Sequence, residues 1–87
     1  MSKIVMYSTA SCPYCVAAKN FLAARGLAFG EVRVDLDREA FATMLGRSGG
    51  RRTVPQIFIH DRHVGGYDDL MRLHRNGELE PWLTNPP

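Results

Sequence analysis

Strand-like and helix-like patterns alternate along this chain, and the order of that alternation limits the folds it can adopt. The apolar run Lys3–Ser8 predicts a strand, and alternating residues over Phe29–Asp35 predict a second, half-buried strand. Between them, Pro13 suits the first turn of a helix and Gly26 is placed to end it. The apolar face of that helix comprises Ala17, Ala18, Phe21 and Leu22. The first half of the chain is therefore predicted to form a βαβ unit.

The middle of the chain predicts a second helix followed by two paired strands. Asp37 can cap the helix, and its inward stripe comprises Phe41, Met44 and Leu45. The glycines that would close it are Gly46, Gly49 and Gly50. The run Gln56–His60 and the residues around Val64 predict two strands joined at Asp61 and Arg62. That dipeptide is not the usual choice for a tight hairpin turn.

A last helix is predicted from about Tyr67 to just before Gly77. It carries the apolar residues Leu70, Met71 and Leu73. Both ends complement the helix dipole, with Asp68 and Asp69 in the first turn and Arg72, His74 and Arg75 in the last. The second half is therefore a ββα unit, and the whole chain is predicted to be an α/β protein.

The 87 residues are long enough for one hydrophobic core, so we expect a single domain over residues 1–87. About residues 78–87 would form a C-terminal tail that packs back through Leu79, Trp82 and Leu83, with a frayed end at residues 85–87. No heptad or long apolar patch is present, which favours a monomer. The apolar run Ile4–Tyr7 is too short for a membrane span or signal-peptide core, so we expect a cytoplasmic protein.

A net charge of +2 lacks the dense basic stripe of nucleic-acid-binding proteins, so we expect no nucleic-acid partner. Arg47, Arg51 and Arg52 do cluster in the sequence. Such a loop, without interleaved aromatic residues, is either a solvated surface or a site for one small anion.

Cys12 and Cys15 are the only cysteines, and in a reducing compartment such a pair is typical of redox chemistry rather than of a structural staple. The segment Cys12-Pro13-Tyr14-Cys15 begins the first helix, where unpaired amides and the helix dipole favour a thiolate on Cys12. Cys15 lies one turn further in, as a resolving thiol requires. We therefore predict Cys12 as the nucleophile and Cys15 as its resolving partner.

Two other roles for the cysteines are less well supported. A zinc site would need two more ligands, and the three histidines, His60, His63 and His74, are each expected to be ordinary surface side chains, so no metal is predicted. Unreactive core cysteines would not require a proline between them or a position at a strand-to-helix junction.

Three separated motifs make the chain resemble the glutaredoxins: Cys12-Pro13-Tyr14-Cys15, Thr53-Val54-Pro55-Gln56 and Gly65-Gly66-Tyr67-Asp68-Asp69-Leu70. The resemblance implies a thioredoxin-like fold, in which a four-stranded mixed sheet is flanked by three helices. It also implies a cis peptide bond between Val54 and Pro55 and a glutathione site beside Cys12. The contacts implied for that site are Cys12, Tyr14, Thr53, Val54, Pro55, Gly66, Tyr67 and Asp68.

Within that site, the backbone of Val54 would pair with the cysteine of glutathione in the manner of an added strand. The helix N-terminus at Tyr67 and Asp68 would hold the γ-glutamyl carboxylate through backbone amides, and the Asp68 side chain would accept from its ammonium group. Asp68 and Asp69 would also stabilise the helix without a ligand, and capping alone is the expected role of Asp69.

Three positions depart from the pattern of the resembled family. Thr9 stands where glutaredoxins often carry a lysine, and Phe41 stands where they often have a polar or basic group for the glycyl carboxylate. Arg47 or Arg52 could take over that carboxylate contact. Tyr67 replaces a third cysteine found in many relatives, so no extra thiol is available there.

The function that the resemblance implies is glutathione-dependent reduction of protein disulfides and of glutathione mixed disulfides. Glutathione would be the co-substrate, and the partners would be disulfide-containing or glutathionylated proteins, with ribonucleotide reductase as a family-level expectation. Three alternatives stay open: a redoxin reduced by thioredoxin reductase, a dimer that bridges an iron–sulfur cluster, and a structural adaptor.

Overall fold

The structure is a computed structural model that describes residues 3–84. Strands and helices follow one another as predicted for a βαβ unit and then a ββα unit, and one further helix closes the chain. The elements are β1 Ile4–Ser8, α1 Pro13–Ala24, β2 Gly30–Arg33, α2 Arg38–Arg47, β3 Gln56–Ile59, β4 Arg62–Gly65, α3 Tyr67–Arg75 and α4 Leu79–Thr84.

The four strands form one mixed sheet in the order β2-β1-β3-β4. β1 runs parallel to β2 and antiparallel to β3, and β3 is antiparallel to β4. This arrangement confirms the predicted thioredoxin-like, four-stranded mixed sheet. β1 is a central strand, so the loop that follows Ser8 begins at the middle of the sheet, where the C-terminal end of β1 lies. This loop carries Cys12.

The sheet separates two apolar cores, as the period-2 alternation of strand side chains requires. On one face α1, α3 and α4 pack against the strand residues Ile4, Met6, Ile57 and Ile59. On the other face α2 packs through Ala40 and Met44 against Tyr7, Val34 and Phe58. Of the predicted inward residues of α2, Met44 is fully buried, whereas Phe41 and Leu45 are only partly buried. Ala40 is buried beside Met44 and completes the contact.

The hairpin between β3 and β4 turns one residue earlier than predicted. Its two central residues are His60 and Asp61, not Asp61 and Arg62, and both have positive φ angles, 51° and 65°. Positive φ at both positions is what a type I′ turn requires, and aspartate tolerates this region better than most residues. Arg62 is thereby the first residue of β4.

The closing segment, predicted as a tail from about residue 78, forms the helix α4. Leu79 and Leu83 are buried in the core beside α1 and α3, and Trp82 packs against its edge, as the apolar pattern predicted. The predicted frayed end at residues 85–87 lies outside the described part of the chain. Within residues 3–84, no helix combines the length and apolar character that a membrane span requires.

Candidate active site

Cys12 and Cys15 lie at the N-terminus of α1 and are joined by a disulfide bond. Cys12 is the N-cap residue, with extended backbone angles, and its carbonyl accepts from the Val16 amide at 3.1 Å. Pro13 occupies the first helical turn, where its missing N–H costs no hydrogen bond. The local sequence therefore fixes the two cysteines one turn apart, with Cα atoms separated by 5.1 Å.

The two sulfur atoms differ in exposure and in hydrogen bonding. Cys12 retains 8% of its surface accessible, whereas Cys15 retains 0%. The backbone N–H of Cys15 donates to the Cys12 sulfur, with 3.1 Å between N and Sγ. Once the disulfide is reduced, this N–H and the helix dipole would stabilise a thiolate on Cys12, the more accessible of the two.

A loop before β3 lies directly against Cys12. The Val54 carbonyl oxygen is 3.6 Å from the Cys12 sulfur, and the Val54–Pro55 peptide bond is cis, as the family resemblance implied. Pro55 precedes the first residue of β3, so the loop ends where the sheet begins. Residues 53–55 therefore form one wall beside the sulfur.

The N-terminus of α3 forms the opposite wall. Gly66 is the N-cap, and the Asp69 carboxylate accepts from the Gly66 amide at 2.8 Å, which confirms that Asp69 caps this helix. The first amides of a helix have no partner within it. The amides of Tyr67 and Asp68 likewise donate to no other group in residues 3–84.

The two walls enclose an open cleft of about 210 Å³ beside the cysteine pair. The structure thus brings together the predicted contacts from all three motifs. The lining residues are Tyr14, Arg51, Thr53, Val54, Pro55, Gly66, Tyr67, Asp68 and Asp69. Tyr14 is exposed, and its ring lies 6.0 Å from that of Tyr67, so the two tyrosines flank the same side of the cleft.

The three arginines of the basic cluster lie in different places. Arg51 lines the cleft, and its Nη1 lies 3.3 Å from Asp69 Oδ2. Arg47 instead donates to the Tyr7 hydroxyl at 3.0 Å and packs over the Phe58 ring.

Arg52 packs over the ring of Phe41. The structure therefore puts neither Arg47 nor Arg52, the two residues chosen from the sequence, in the cleft lining. Arg51 is there because its backbone is fixed by Ser48, whose hydroxyl accepts from the Arg51 amide at 3.1 Å.

The loop that carries Cys12 is tied to the end of β2. Asp35 accepts from the Ala10 amide at 3.2 Å and from Arg33 at 2.6 Å. The hydrogen bond and charge of Arg33 lower the pKa of Asp35 to about 2, so this carboxylate is ionised at neutral pH. A charged Asp35 can therefore hold the loop near Thr9 in place.

His63 is half-buried and hydrogen-bonded, which differs from the ordinary surface side chain expected from the sequence. Its Nε2 lies 2.6 Å from Oε1 of Gln56, a fully buried residue, and its ring packs against Phe58. The other two histidines also have contacts, since His60 Nε2 lies 3.0 Å from the Leu83 carbonyl and His74 packs against Phe21. No cluster of three or more metal-ligating side chains occurs within the described residues.

Comparison with known proteins identifies the family. The sequence profile named Glutaredoxin matches residues 4–64, which is more than half of the chain. The chain belongs to the glutaredoxin family. A glutaredoxin of Neisseria meningitidis serogroup B is 49% identical over 87 residues, covering 99% of this chain and 100% of that protein. A glutaredoxin of Pseudomonas aeruginosa is 46% identical over 84 residues, covering 97% and 99%.

Solved glutaredoxins share the fold. The solution structure of a Brucella melitensis glutaredoxin has a TM-score of 0.84 and 42% identity, covering 100% of this chain and 94% of that one. The crystal structure of a buckwheat glutaredoxin–glutathione complex has a TM-score of 0.85 and 34% identity, covering 94% and 76%. As a glutaredoxin, the protein is a thiol–disulfide oxidoreductase, and Cys12 and Cys15 form its redox-active pair.

Proposed function

We propose that this glutaredoxin takes its electrons from glutathione and reduces glutathione mixed disulfides and protein disulfides. The main support is the cleft: one of its walls contains Val54, whose carbonyl oxygen lies 3.6 Å from the Cys12 sulfur, and the other is the start of α3 with its unpaired amides. A peptide whose thiol sits at Cys12 and whose carboxylate sits at those amides matches this arrangement. Glutathione has both groups, and the buckwheat relative was solved as a complex with it.

The two walls provide complementary contacts for such a peptide. The backbone of Val54 faces the sulfur and can pair with the cysteine residue of glutathione as an added strand would. The amides of Tyr67 and Asp68 can bind the γ-glutamyl carboxylate, and the exposed Asp68 carboxylate can accept from the neighbouring ammonium group. Thr53, Pro55, Gly66 and Tyr14 line the space between these contacts, and Arg51 adds positive charge to it.

The reduction of a glutathione mixed disulfide requires only Cys12. Its thiolate attacks the glutathione sulfur, a new S–S bond joins Cys12 to glutathione, and the substrate sulfur leaves as a thiolate that takes a proton from water. The thiolate of a second glutathione then attacks the bound glutathione sulfur. This step releases oxidised glutathione and regenerates the Cys12 thiolate.

The reduction of a protein disulfide also uses Cys15. Cys12 first forms a mixed disulfide with the substrate protein, and one substrate thiol is released. Cys15 then loses its proton and attacks the Cys12 sulfur, which releases the second substrate thiol and forms the Cys12–Cys15 bond seen here. Two glutathione molecules reduce that bond, giving one oxidised glutathione. The buried position of Cys15 restricts it to this internal attack.

The proposal includes the setting in which this chemistry operates. Transient disulfides of this kind belong to reducing compartments, so we place the protein in the cytoplasm. We also propose that it is a single-domain monomer. Its protein substrates would be disulfide-containing or glutathionylated proteins, among which ribonucleotide reductase is the family-based expectation.

The test is the reduction of a small glutathione mixed disulfide with glutathione, glutathione reductase and NADPH. Wild type and Cys15→Ser should turn over, and Cys12→Ser should not. Absence of turnover by wild type, together with reduction of the Cys12–Cys15 disulfide by NADPH and thioredoxin reductase, would contradict the proposal. It would favour a redoxin that takes its electrons from thioredoxin reductase. Turnover by Cys12→Ser would contradict the assigned role of that sulfur.

A further inference from the structure

A chain of hydrogen bonds connects β4 to the wall of the cleft beside Cys12. His63 Nε2 lies 2.6 Å from Gln56 Oε1. The Gln56 amide nitrogen lies 3.0 Å from the Thr53 carbonyl oxygen and 3.3 Å from the Thr53 hydroxyl. Thr53 immediately precedes Val54, whose carbonyl oxygen lies 3.6 Å from the Cys12 sulfur. The chain therefore reaches from a histidine to the residue beside the reacting atom.

The strand register explains why these three side chains meet. Gln56 and Phe58 are two residues apart on β3, so they point to the same face of the sheet. His63 is the cross-strand partner of Phe58 on β4, and its ring lies 4.9 Å from that of Phe58. The Phe58 ring thus fixes the plane of the imidazole, which directs Nε2 to the Gln56 side chain.

The buried amide of Gln56 allows only one orientation. A carbonyl oxygen can only accept, so the group that faces the Thr53 carbonyl must be the NH₂ of Gln56. Its Oε1 therefore faces His63, and His63 Nε2 must carry a hydrogen. Gln56 is 0% exposed, so its Oε1 depends on the His63 donor rather than on solvent, and losing that donor leaves a buried acceptor to be satisfied.

We propose that His63 is a positioning residue, which holds the Gln56 amide and through it the loop Thr53–Pro55 against the bound glutathione. The inference rests on the proposed function, because the loop is the wall that would pair with glutathione. His63 itself contacts neither Cys12 nor the cleft. Its removal should therefore weaken substrate binding without changing the chemistry of the sulfur.

The surroundings of His63 keep the ring neutral at neutral pH. Burial, the positive charge of Arg51 and that of Arg47 lower the pKa of His63, and the Asp69 carboxylate opposes them only in part. A neutral ring has one N–H, and the orientation of Gln56 places it on Nε2. This tautomer is a measurable property of the wild-type protein that requires no substrate.

Two variants and one spectrum test the positioning role of His63. His63→Leu retains an apolar contact with Phe58 but removes the donor, and His63→Gln supplies an amide N–H in its place. In the glutathione-coupled assay, His63→Leu should raise the KM for the mixed disulfide about tenfold with kcat little changed, the usual effect of leaving one buried acceptor unpaired. His63→Gln should recover most of that loss. Ring ¹⁵N shifts of the wild type should show the Nε2–H tautomer.

The outcomes separate this inference from the proposed function. If wild type turns over with glutathione and His63→Leu keeps the wild-type KM, the positioning role is wrong. An Nδ1–H tautomer in the wild type overturns it even where the leucine variant fails to fold, and so does an equal rise in KM for His63→Gln. If wild type does not turn over with glutathione yet its dithiothreitol-reduced form reduces a small aromatic disulfide, the proposed function has failed instead.

Discussion

Arg51 and Asp69 join the two walls of the cleft. Arg51 Nη1 on the loop before β3 lies 3.3 Å from Asp69 Oδ2 on α3, and the same oxygen accepts from the Gly66 amide at 2.8 Å. One carboxylate therefore caps the helix and fixes the guanidinium in the cleft. Burial alone would raise the pKa of Asp69, but the Gly66 hydrogen bond and Arg51 hold it below its usual value.

The cap predicts a loss of stability in Asp69→Ala. Removing the carboxylate leaves the Gly66 amide unpaired and releases Arg51, so the free energy of unfolding should fall by about 1 kcal/mol. Urea denaturation at pH 7 measures the change. Asp68→Ala is the matched control, because Asp68 is exposed and its side chain makes no hydrogen bond within residues 3–84. An equal loss in both variants would contradict the assignment of the cap to Asp69.

The position of Arg51 predicts which arginine affects glutathione binding. Arg51→Gln removes a positive charge from the cleft and should raise the KM for a glutathione mixed disulfide about fivefold, as expected for one charged contact in a partly exposed site. Arg52→Gln is the control, since Arg52 packs over Phe41 outside the cleft. A larger effect from Arg52 would restore the carboxylate contact expected from the sequence and exclude Arg51 from that role.

Gly65 is predicted to accept no side chain. Its φ of +121° is unfavourable for an L-residue, and a Cβ there would lie 2.9 Å from Arg51 Nη1 and closer still to the Asp69 carboxylate. Gly65→Ala should destabilise the protein by about 3 kcal/mol or more. Gly77→Ala, which has φ +71° and no neighbour within 4 Å, should cost only about 1 kcal/mol. Thermal unfolding of both variants tests the difference, and equal losses would show that the Asp69–Arg51 contact does not restrict this position.

The Arg33–Asp35 pair predicts a pH dependence of the loop that carries Cys12. The folded-state pKa of Asp35, about 2, lies below the unfolded value, so its contribution is complete above the unfolded pKa. That contribution is lost as the pH falls through about 2. NMR titration of the Asp35 carboxyl should give a midpoint near that value, with the Ala10 amide signal shifting in parallel. In Arg33→Gln the midpoint should return toward that of an ordinary aspartate, and an unchanged midpoint would exclude Arg33 as the cause.

The sequence was sufficient to predict the sheet and the position of the cysteine pair. Apolar runs located β1 and β3, and alternating residues located β2. Asp37 was confirmed as the cap of α2, with its carboxylate accepting from the Glu39 amide at 2.9 Å. The hairpin turn was placed one residue late because the predicted strand was extended through His60, and His60-Asp61 lacks the glycine that usually marks a tight hairpin turn. α4 was missed as a helix because its six residues are stabilised by the burial of Leu79 and Leu83 rather than by their own propensity.

The cleft was predicted less completely than the cysteines. Arg51 could not be distinguished from Arg47 and Arg52, because the choice depends on the direction in which the loop after α2 turns and on the Ser48 hydrogen bond that fixes it. The role proposed for His63 has no local signal either, since it depends on the pairing of β3 with β4. Only Gln56 gave a sequence signal, because it is a polar residue at the start of the otherwise apolar strand Gln56–Ile59.

Glutathione recognition by the cleft is tested most directly by the backbone amide NMR spectrum of Cys15→Ser after oxidised glutathione has linked one glutathione to Cys12. If the glutathione lies in the cleft, the amide signals of Val54, Tyr67 and Asp68 should shift most outside the Cys12 loop. Linking free cysteine to Cys12 in the same variant is the control, and it should leave Tyr67 and Asp68 unchanged. Shifts confined to the start of α1 with both adducts would contradict the account, because the cleft would then contribute nothing to glutathione recognition.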